Sequence, residues 1–488
     1  MRPRSPSAWL AAGLALALAF TVGGTPLSWA ADPARPSAQS AAAGSGQPLQ
    51  DPPELVSHDG VLRARIVVAR RKVVVGDREL YALTYNGRYM PPTLRICPGD
   101  RVELAMTNGG SEDTNLHVHG LHVSPESPSD DIFIAIKPGE TYHYGYRFPS
   151  DITPGTYWYH SHEHLRSAAQ VAGGESGIII VDGLQRYLPR SLRHITEHVV
   201  ALKDDQVEGD SVRTDNLSIG APTNRTVNGQ QHPVISIRPG ETQLWRLANI
   251  GANIYYKLHL PGRTFHVIAQ DGYPVSRVYS ADSLVIPAGA RFDVLVQGGP
   301  PGTSQLQTLA YDTGPAGNRF PQVDLATVVS EGSPMRPAAL PVGFAPGDDL
   351  GDAPIAARHD LVYTENAAGT EFYINGKKFD PDRVDVTSKL NTVEEWRVVN
   401  HTGENHSFHV HTNHFQLMSV NGAPTPPGHR WYETVNVPAG GTAVLRIRFD
   451  DFTGKTVLHC HILNHEDKGM MAVLNIVPDG PASPHHGS

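Results

Sequence analysis

The sequence predicts an all-β protein built from three consecutive β-sandwich domains. Two observations carry this reading. A set of landmarks recurs three times in one order, and within each copy apolar residues alternate along short segments punctuated by Gly, Pro, Asn and Asp. Asn-Gly pairs stand at Asn86-Gly87, Asn228-Gly229 and Asn375-Gly376, each a few residues before a strand-like run. Those runs read RICPGDRVELAMTN, SIRPGETQLWRLAN and DVTSKLNTVEEWRVVN, and they end at Asn108, Asn249 and Asn400. A second set reads KPGETYHYGYRF, IPAGARFDVLVQ and VPAGGTAVLRIRF, with Gly139, Gly289 and Gly440 in its turns. Successive copies of each landmark lie 141 to 151 residues apart. Period-2 alternation with turn residues between segments is the pattern of strands buried on one face, as in a sandwich. The three domains are expected at 55–185, 190–340 and 358–478.

The segments between and outside these domains differ in composition. Arg2 and Arg4 precede an apolar run from Trp9 to about Gly24, and Ser28-Trp29-Ala30 supplies small residues before Ala31. This is the pattern of a cleaved signal peptide over 1–30. The run is shorter than the roughly 20 residues a spanning helix needs, so no membrane span is expected in the mature chain. Export to the periplasm or the medium follows, and paired arginines of the twin-arginine route are absent. Residues 31–54, rich in Ala, Ser, Pro and Gly, read as a flexible leader. Residues 335–357, with four prolines, read as a domain linker, and the chain from Asp479 reads as disordered.

Removing residues 1–30 takes away two arginines and no acid, so the formal charge moves from −9 to about −11. No basic block remains to hold a polyanion, which argues against a nucleic-acid partner, and a monomer is expected. The chain has two cysteines, Cys97 and Cys460, too few for a disulfide framework. Cys97 reads as a small buried hydrophobe.

The chain has 25 histidines, and many cluster in four stretches: His117-Val118-His119; His160-Ser161-His162; His406-Ser407-Phe408-His409-Val410-His411; and His459-Cys460-His461, continuing through His465 to Met470. Four His-x-His pairs result. In a strand, residues i and i+2 face one way, so each pair aims two imidazoles at one point. Eight imidazoles suit three copper ions with positions left open for O2. Cys460 lies between two such histidines and faces the other way, where it can meet His406, His465 and Met470. Two imidazoles, a thiolate and a weak axial thioether are the ligands of a blue copper electron-transfer site. Zinc accepts Cys and His too, but Met is a poor zinc ligand and a four-pair array exceeds a structural zinc site. The repeat adds a control. Aligning GTYWYHSH with GKTVLHCH sets Ser161 where Cys460 stands, and YYKLHLPG retains only His259. The first domain therefore shares the cluster without a blue site, the second acts as a spacer, and the cluster lies between the first and third.

These motifs closely resemble those of the multicopper oxidase family, which includes laccases, ascorbate oxidase, bilirubin oxidase and bacterial cuprous oxidases. HCHILNHEDKGMM is the most specific of them, and the likeness covers nearly all of the mature chain. The resemblance implies three cupredoxin-like, Greek-key domains and four copper ions. By position it implies type 1 ligands at His406, Cys460, His465 and Met470, and type 2 ligands at His117 and His409. It implies one type 3 set at His119, His160 and His461 and the other at His162, His411 and His459. Family members often carry Pro in the stretch where this chain has Ser407-Phe408. Glu466 matches an acid that passes protons to the cluster in bacterial relatives, and Asp130 resembles the acid near the type 2 copper. His122, His164 and His414 have no ligand counterpart.

The expected activity is a laccase-like oxidase that takes single electrons from phenols or aromatic amines and reduces O2 to water. A metallo-oxidase for Cu(I) or Fe(II) is the alternative. The seven methionines form no Met-rich segment to recruit soft Cu(I), and Glu404 alone is thin support for an iron site. A scaffold relative without activity is expected to have lost ligands, and a copper nitrite reductase has no use for four His-x-His pairs.

Overall fold

The computed structural model describes residues 46–480, Pro346 excepted, so the signal-peptide reading over 1–30 and the chain end after Gly480 lie outside the described residues. Six large sheets form three sandwiches in chain order. The first pairs a six-stranded sheet around Val61–Val75 and Arg101–Asn108 with a five-stranded sheet ending in Gly155–His160 and His117–His119. The second centres on Thr242–Asn249 and Arg291–Gln297, the third on Thr392–Asn400 and Thr442–Phe449. Among the described residues α-helix is confined to Ser167–Gly173 and Leu463–Asp467. No described helix is long and apolar enough to cross a membrane.

The repeated landmarks recur because each does the same mechanical work three times. Asn86, Asn228 and Asn375 adopt positive φ (55°, 52° and 52°), as do the glycines after them, which suits a tight hairpin turn. Each Asn then clamps the neighbouring strand. Its Oδ1 accepts from the N–H of Val67, Ala201 or Val362, and its Nδ2 donates to the carbonyl of Arg65, Val199 or Asp360. Asn108, Asn249 and Asn400 close each strand by donating from Nδ2 to the carbonyls of Ile136, Ile286 and Val437. These side chains satisfy loop backbone groups that burial cuts off from water.

Alternation is clear where one face meets the core, as in Thr442–Phe449, whose residues alternate between partly and fully buried. It vanishes in Thr242–Asn249, where all eight residues are buried because the second sandwich is covered on both sides. Arg246 in that strand is made tolerable by Asp293 at 3.1 Å and Glu197 at 3.0 Å.

Three details depart from the sequence reading. The leader is described only from Gly46, and there it is anchored: Leu49 N–H donates to Val234 O and Val199 N–H to Asp51 Oδ1, both at 2.8 Å, and Glu54–Val56 pairs with Thr93–Ile96. The hairpin Val207–Glu208 and Ser211–Val212 falls within the second domain by sequence but extends the first domain's sheet beside Arg78–Tyr85. Cys97 is exposed rather than buried, because it follows the end of strand Thr93–Ile96, where CPGD turns out of the sheet. The described residues of 335–356 contain no strand or helix, and the expected linker's last residue, Ala357, opens strand Ala357–Glu365; the segment is pinned to both neighbours, Val278 N–H donating to Val342 O at 2.9 Å and Leu350 N–H to Gln416 Oε1 at 2.8 Å.

Candidate functional site

The first and third sandwiches bring their histidine strands to one seam. His117–His119 pairs antiparallel with Gly155–His160, setting His117 opposite His160. His406–Val410 pairs with Gly454–Cys460, setting His409 opposite His459 and Phe408 opposite Cys460. Only the first His-x-His pair lies wholly within a strand. His411 and His461 are the first residues past their strands, and His162 is the second past its own.

All eight paired histidines are buried in one group. His117 stacks on His411 with ring centroids 3.8 Å apart, and His119 on His409 at 3.9 Å. His459 Nε2 lies 3.2 Å from His162 Nε2 and 3.1 Å from His411 Nε2. His461 reaches His119 at 4.7 Å between ring centroids, and His160 at 5.6 Å.

The ring nitrogens are sorted by partner. Nδ1 of His117 meets Asp130 Oδ2 at 2.8 Å, and Nδ1 of His160 and His409 meet the carbonyls of Ser161 at 2.7 Å and Glu433 at 2.8 Å. The Nε2 atoms of His117, His119, His160, His409 and His461 are buried with no hydrogen-bond partner. An acceptor on one nitrogen fixes the proton there and leaves a lone pair on the other, which is how metal-binding imidazoles are held. Burial also lowers the imidazole pKa values, to about 3 for His160 and about 4 for His162, favouring the neutral form that binds a metal.

A second group lies behind Cys460. His406, Cys460 and His465 present donor atoms within 4.8 Å of one another. His406 Nδ1 is 3.5 Å from Cys460 Sγ and 3.2 Å from His465 Nδ1. Here the sorting is reversed: Nε2 of His406 bonds Thr402 Oγ1 at 2.9 Å, and Nε2 of His465 lies 3.5 Å from Glu404 Oε1, leaving both Nδ1 atoms toward the sulfur. Met470 is buried in the same hydrophobic cluster as Cys460, and its carbonyl accepts Cys460 N–H at 3.0 Å. Burial pushes the Cys460 thiol up to about 12, against hydrogen bonds from the backbone at Ile462 and Ser407. A thiolate in that pocket requires a bound cation to stabilise it. Both donor sets, one of nitrogens and one with sulfur, fit copper.

The short helix Leu463–Asp467 serves three places with three consecutive residues. Successive helical side chains point about 100° apart. His465 faces His406, and Phe372 stacks on its ring at 4.0 Å. Glu466 faces the other group, with Oε2 2.9 Å from His459 Nδ1 and Oε1 3.7 Å from His162 Nδ1. Burial raises the Glu466 pKa, but the imidazoles of His162 and His459 outweigh it and hold the carboxyl well below its usual range. Asp467 receives the backbone N–H groups of Ser167 and Ala168 at 3.1 and 2.9 Å, tying the third sandwich to the first domain's helix. Asp130, the other candidate acid, is raised to about 8 by burial, against a hydrogen bond from Val118 N–H.

Sequence reasoning missed Glu433, whose carboxylate lies 3.0 Å from His119 Nδ1 and 3.3 Å from His409 Nδ1. It also missed Arg291 and Asp271 of the second sandwich, which stand behind Glu433. The second domain touches the cluster once more at Gly289, where a Cβ would come within 3.1 Å of the His461 ring. His259, the second domain's remaining histidine at a matching position, instead places Nδ1 2.7 Å from Asp282 O. His122 binds Asp451 and the Thr412 carbonyl, both at 2.7 Å.

Three sequence models of multicopper oxidase domains match residues 68–185, 195–303 and 353–480. The chain is 27% identical over 438 residues to multicopper oxidase mco of Staphylococcus aureus, covering 83% of this chain and 87% of that protein. It is 28% identical over 423 residues to cell division protein FtsP of Escherichia coli, covering 81% and 85%. Among solved structures, a multicopper oxidase from Campylobacter jejuni described as a metallo-oxidase superposes with a TM-score of 0.76 at 25% identity, over 89% of this chain and 96% of that one. The laccase-like CueO of Ochrobactrum sp. superposes at 0.75 with 27% identity, over 88% and 100%. The chain belongs to the multicopper oxidase family, with its three cupredoxin-like domains. Membership implies a copper-dependent oxidoreductase that uses O2.

Proposed function

We propose that the protein is a laccase-like oxidase with four copper ions, which couples one-electron oxidation of phenols or aromatic amines to reduction of O2 to water. The observation that carries this is the position of Cys460. Its sulfur belongs to the His406–His465 group, while its chain neighbours His459 and His461 belong to the eight-histidine group. With copper held at this sulfur, only a few covalent bonds would separate it from the eight-histidine group.

His406, Cys460, His465 and Met470 would hold the type 1 copper. His117 and His409 would hold type 2, and His119, His160 and His461 with His162, His411 and His459 the type 3 pair. When bound, copper supplies the one-electron redox chemistry and the place where O2 is reduced. The chain's own residues orient the imidazoles, exclude water and move protons. Asp130 at His117 and Glu466 at His459 and His162 would hand protons inward, since the ligands must stay deprotonated to keep metal. Electrons would arrive on the His465 side, where Glu404 and Phe372 cover an imidazole that is 3% exposed, against 0% for His406. The Arg2/Arg4 start and the apolar run after it support export, which N-terminal sequencing of the mature protein tests.

A metallo-oxidase reading is favoured by the likeness to the Campylobacter jejuni metallo-oxidase and by the buried carboxylate of Glu404 beside His465. The likeness to the laccase-like Ochrobactrum protein and the lack of a Met-rich segment favour organic donors. A donor panel on copper-loaded protein separates them. Turnover of phenols without added copper supports the laccase-like reading. Fast Cu(I) or Fe(II) oxidation, with phenol turnover only under excess Cu(II), overturns it. No turnover with any donor would overturn the oxidase reading itself.

A further inference from the structure

Four Asn-Gly turns share one geometry and differ in one hydrogen bond. Asn86-Gly87, Asn228-Gly229, Asn375-Gly376 and Asn421-Gly422 each lie between two bridged residues, and both residues of each turn have positive φ. Each Asn exchanges two bonds with one residue of the adjacent strand. Its N–H donates to the carbonyl of Val67, Ala201, Val362 or Thr442 at 2.8 to 2.9 Å. Its Oδ1 accepts the N–H of that same residue at 2.7 to 2.9 Å.

The side-chain amide separates them. In the first three turns Nδ2 donates to the carbonyl two residues earlier on that strand, Arg65, Val199 or Asp360, at 2.8 to 3.0 Å. Asn421 is held at Oδ1 alone among the described residues, and it is exposed. The cause is local. Thr442 opens strand Thr442–Phe449, and two residues before it stands Gly440, whose φ of +64° puts it in the turn and outside the strand. No ladder carbonyl therefore stands where the Asn421 amide would need one.

This difference bears on a reaction intrinsic to Asn-Gly pairs. The Gly nitrogen attacks Cγ of the Asn, a C–N bond forms, and Nδ2 leaves as ammonia with the proton that the Gly nitrogen gives up. Water then opens the cyclic imide to aspartate or isoaspartate. Glycine favours the attack because it has no Cβ to obstruct it and its backbone turns freely. Closing the ring requires the Asn side chain to swing toward the Gly nitrogen, so every hydrogen bond holding that side chain must first break. Asn86 and Asn375 are exposed like Asn421 but held from both sides. Asn228 is buried and also donates to Gln50 O at 3.1 Å. The chain's fifth pair, Asn108-Gly109, is closed off too: Asn108 is buried, with Nδ2 donating to the carbonyls of Glu112 and Ile136, both at 2.7 Å.

We propose that Asn421 is the site of spontaneous deamidation in the folded protein, converted to aspartate and isoaspartate while the other four Asn-Gly pairs persist. The aspartate form keeps an oxygen for Thr442 N–H and adds one negative charge. The isoaspartate form inserts a methylene into the backbone of a two-residue turn and disturbs the pairing of Val420 with Ala423.

Peptide mass mapping of the full, copper-loaded protein during incubation in mildly alkaline heavy-oxygen water tests the assignment, because each deamidation fixes an oxygen from the solvent. Asn421 should convert roughly threefold to tenfold faster than Asn86 or Asn375, the rate ratio expected for one fewer hydrogen bond to break. The same incubation in urea removes the fold. There the five pairs should converge on similar rates, since each sets Gly after Asn. Conversion of Asn86 or Asn375 as fast as Asn421 in the folded protein, or none at Asn421, overturns the proposal. A lead of Asn421 that persists undiminished in urea overturns it as well, because local sequence and not the missing bond would then set the rate.

Discussion

Arg291 of the second sandwich forms a fully buried ion pair with Glu433 of the third, and Glu433 in turn touches His119 and His409. The domain that provides none of the expected ligands thus reaches the cluster through a charge. Asp271 completes the arrangement, 3.6 Å from Arg291 and accepting the N–H groups of Glu433 and Thr434 at 3.2 Å. Gly120 makes room for the guanidinium: its φ is +86°, and a Cβ there would collide with Arg291.

Replacing Arg291 with Met should therefore strip a compensating charge from two buried carboxylates. Breaking a buried ion pair from one side costs about 3–5 kcal/mol. The variant should melt several degrees lower and lose copper from the cluster while retaining the blue band of the type 1 site. Copper analysis together with the visible spectrum checks this. Full copper content in a stable Arg291→Met protein would show that Glu433 needs no partner.

Cys460→Ser should abolish the blue colour and all turnover of organic donors, because the Ser oxygen cannot replace the copper–thiolate bond. The other coppers should remain, since the eight histidines form a separate group. Fewer than three coppers per chain in this variant would argue against the division into two centres.

Glu466→Gln and Asp130→Asn should keep copper and colour but lower kcat by roughly a hundredfold or more, since a positioned proton donor contributes about 10²- to 10⁴-fold. The loss should be larger at high pH, where bulk protons substitute less well. In single-turnover measurements it should appear in O2 reduction and not in reduction of the blue copper. Unchanged O2 reduction in both variants across pH removes these acids from the mechanism.

Glu175 gives a stability prediction away from the histidines. It is 1% exposed, and burial raises its carboxyl from 4.5 to about 8, against a hydrogen bond from Thr114 and the charge of Lys203. A raised folded-state pKa means that the carboxyl's contribution is complete below 4.5 and is lost as pH rises toward 8. Lys203, lowered by burial to about 7, adds an opposite slope only above that pH, so the window from 4.5 to 7 isolates Glu175. Between those limits wild type should lose up to about 3 kcal/mol relative to Glu175→Gln. Denaturant melts of both proteins at the two ends check the difference, and parallel curves would refute it.

What was legible in the sequence is what short-range geometry determines. The threefold landmarks fall at turns that only Asn and Gly make easily, and their side chains clamp the adjacent strand in every copy. The convergence of His117 with His119, and the opposite facing of Cys460 from His459, follow from alternation along a strand, whereas His162, His411 and His461 lie just past their strands. The reversal of face between His406 and His409 follows from the same rule. Other features were decided only by the tertiary structure. Glu433, Arg291 and Asp271 meet from two domains, Asp467 caps a helix 300 positions away, and the 207–212 hairpin joins the first sheet. Cys97 faces solvent because its strand has just ended. Such contacts leave no periodic mark, since the free energy that selects them comes from burying charges and sealing seams between domains, and neither requires any particular spacing along the chain.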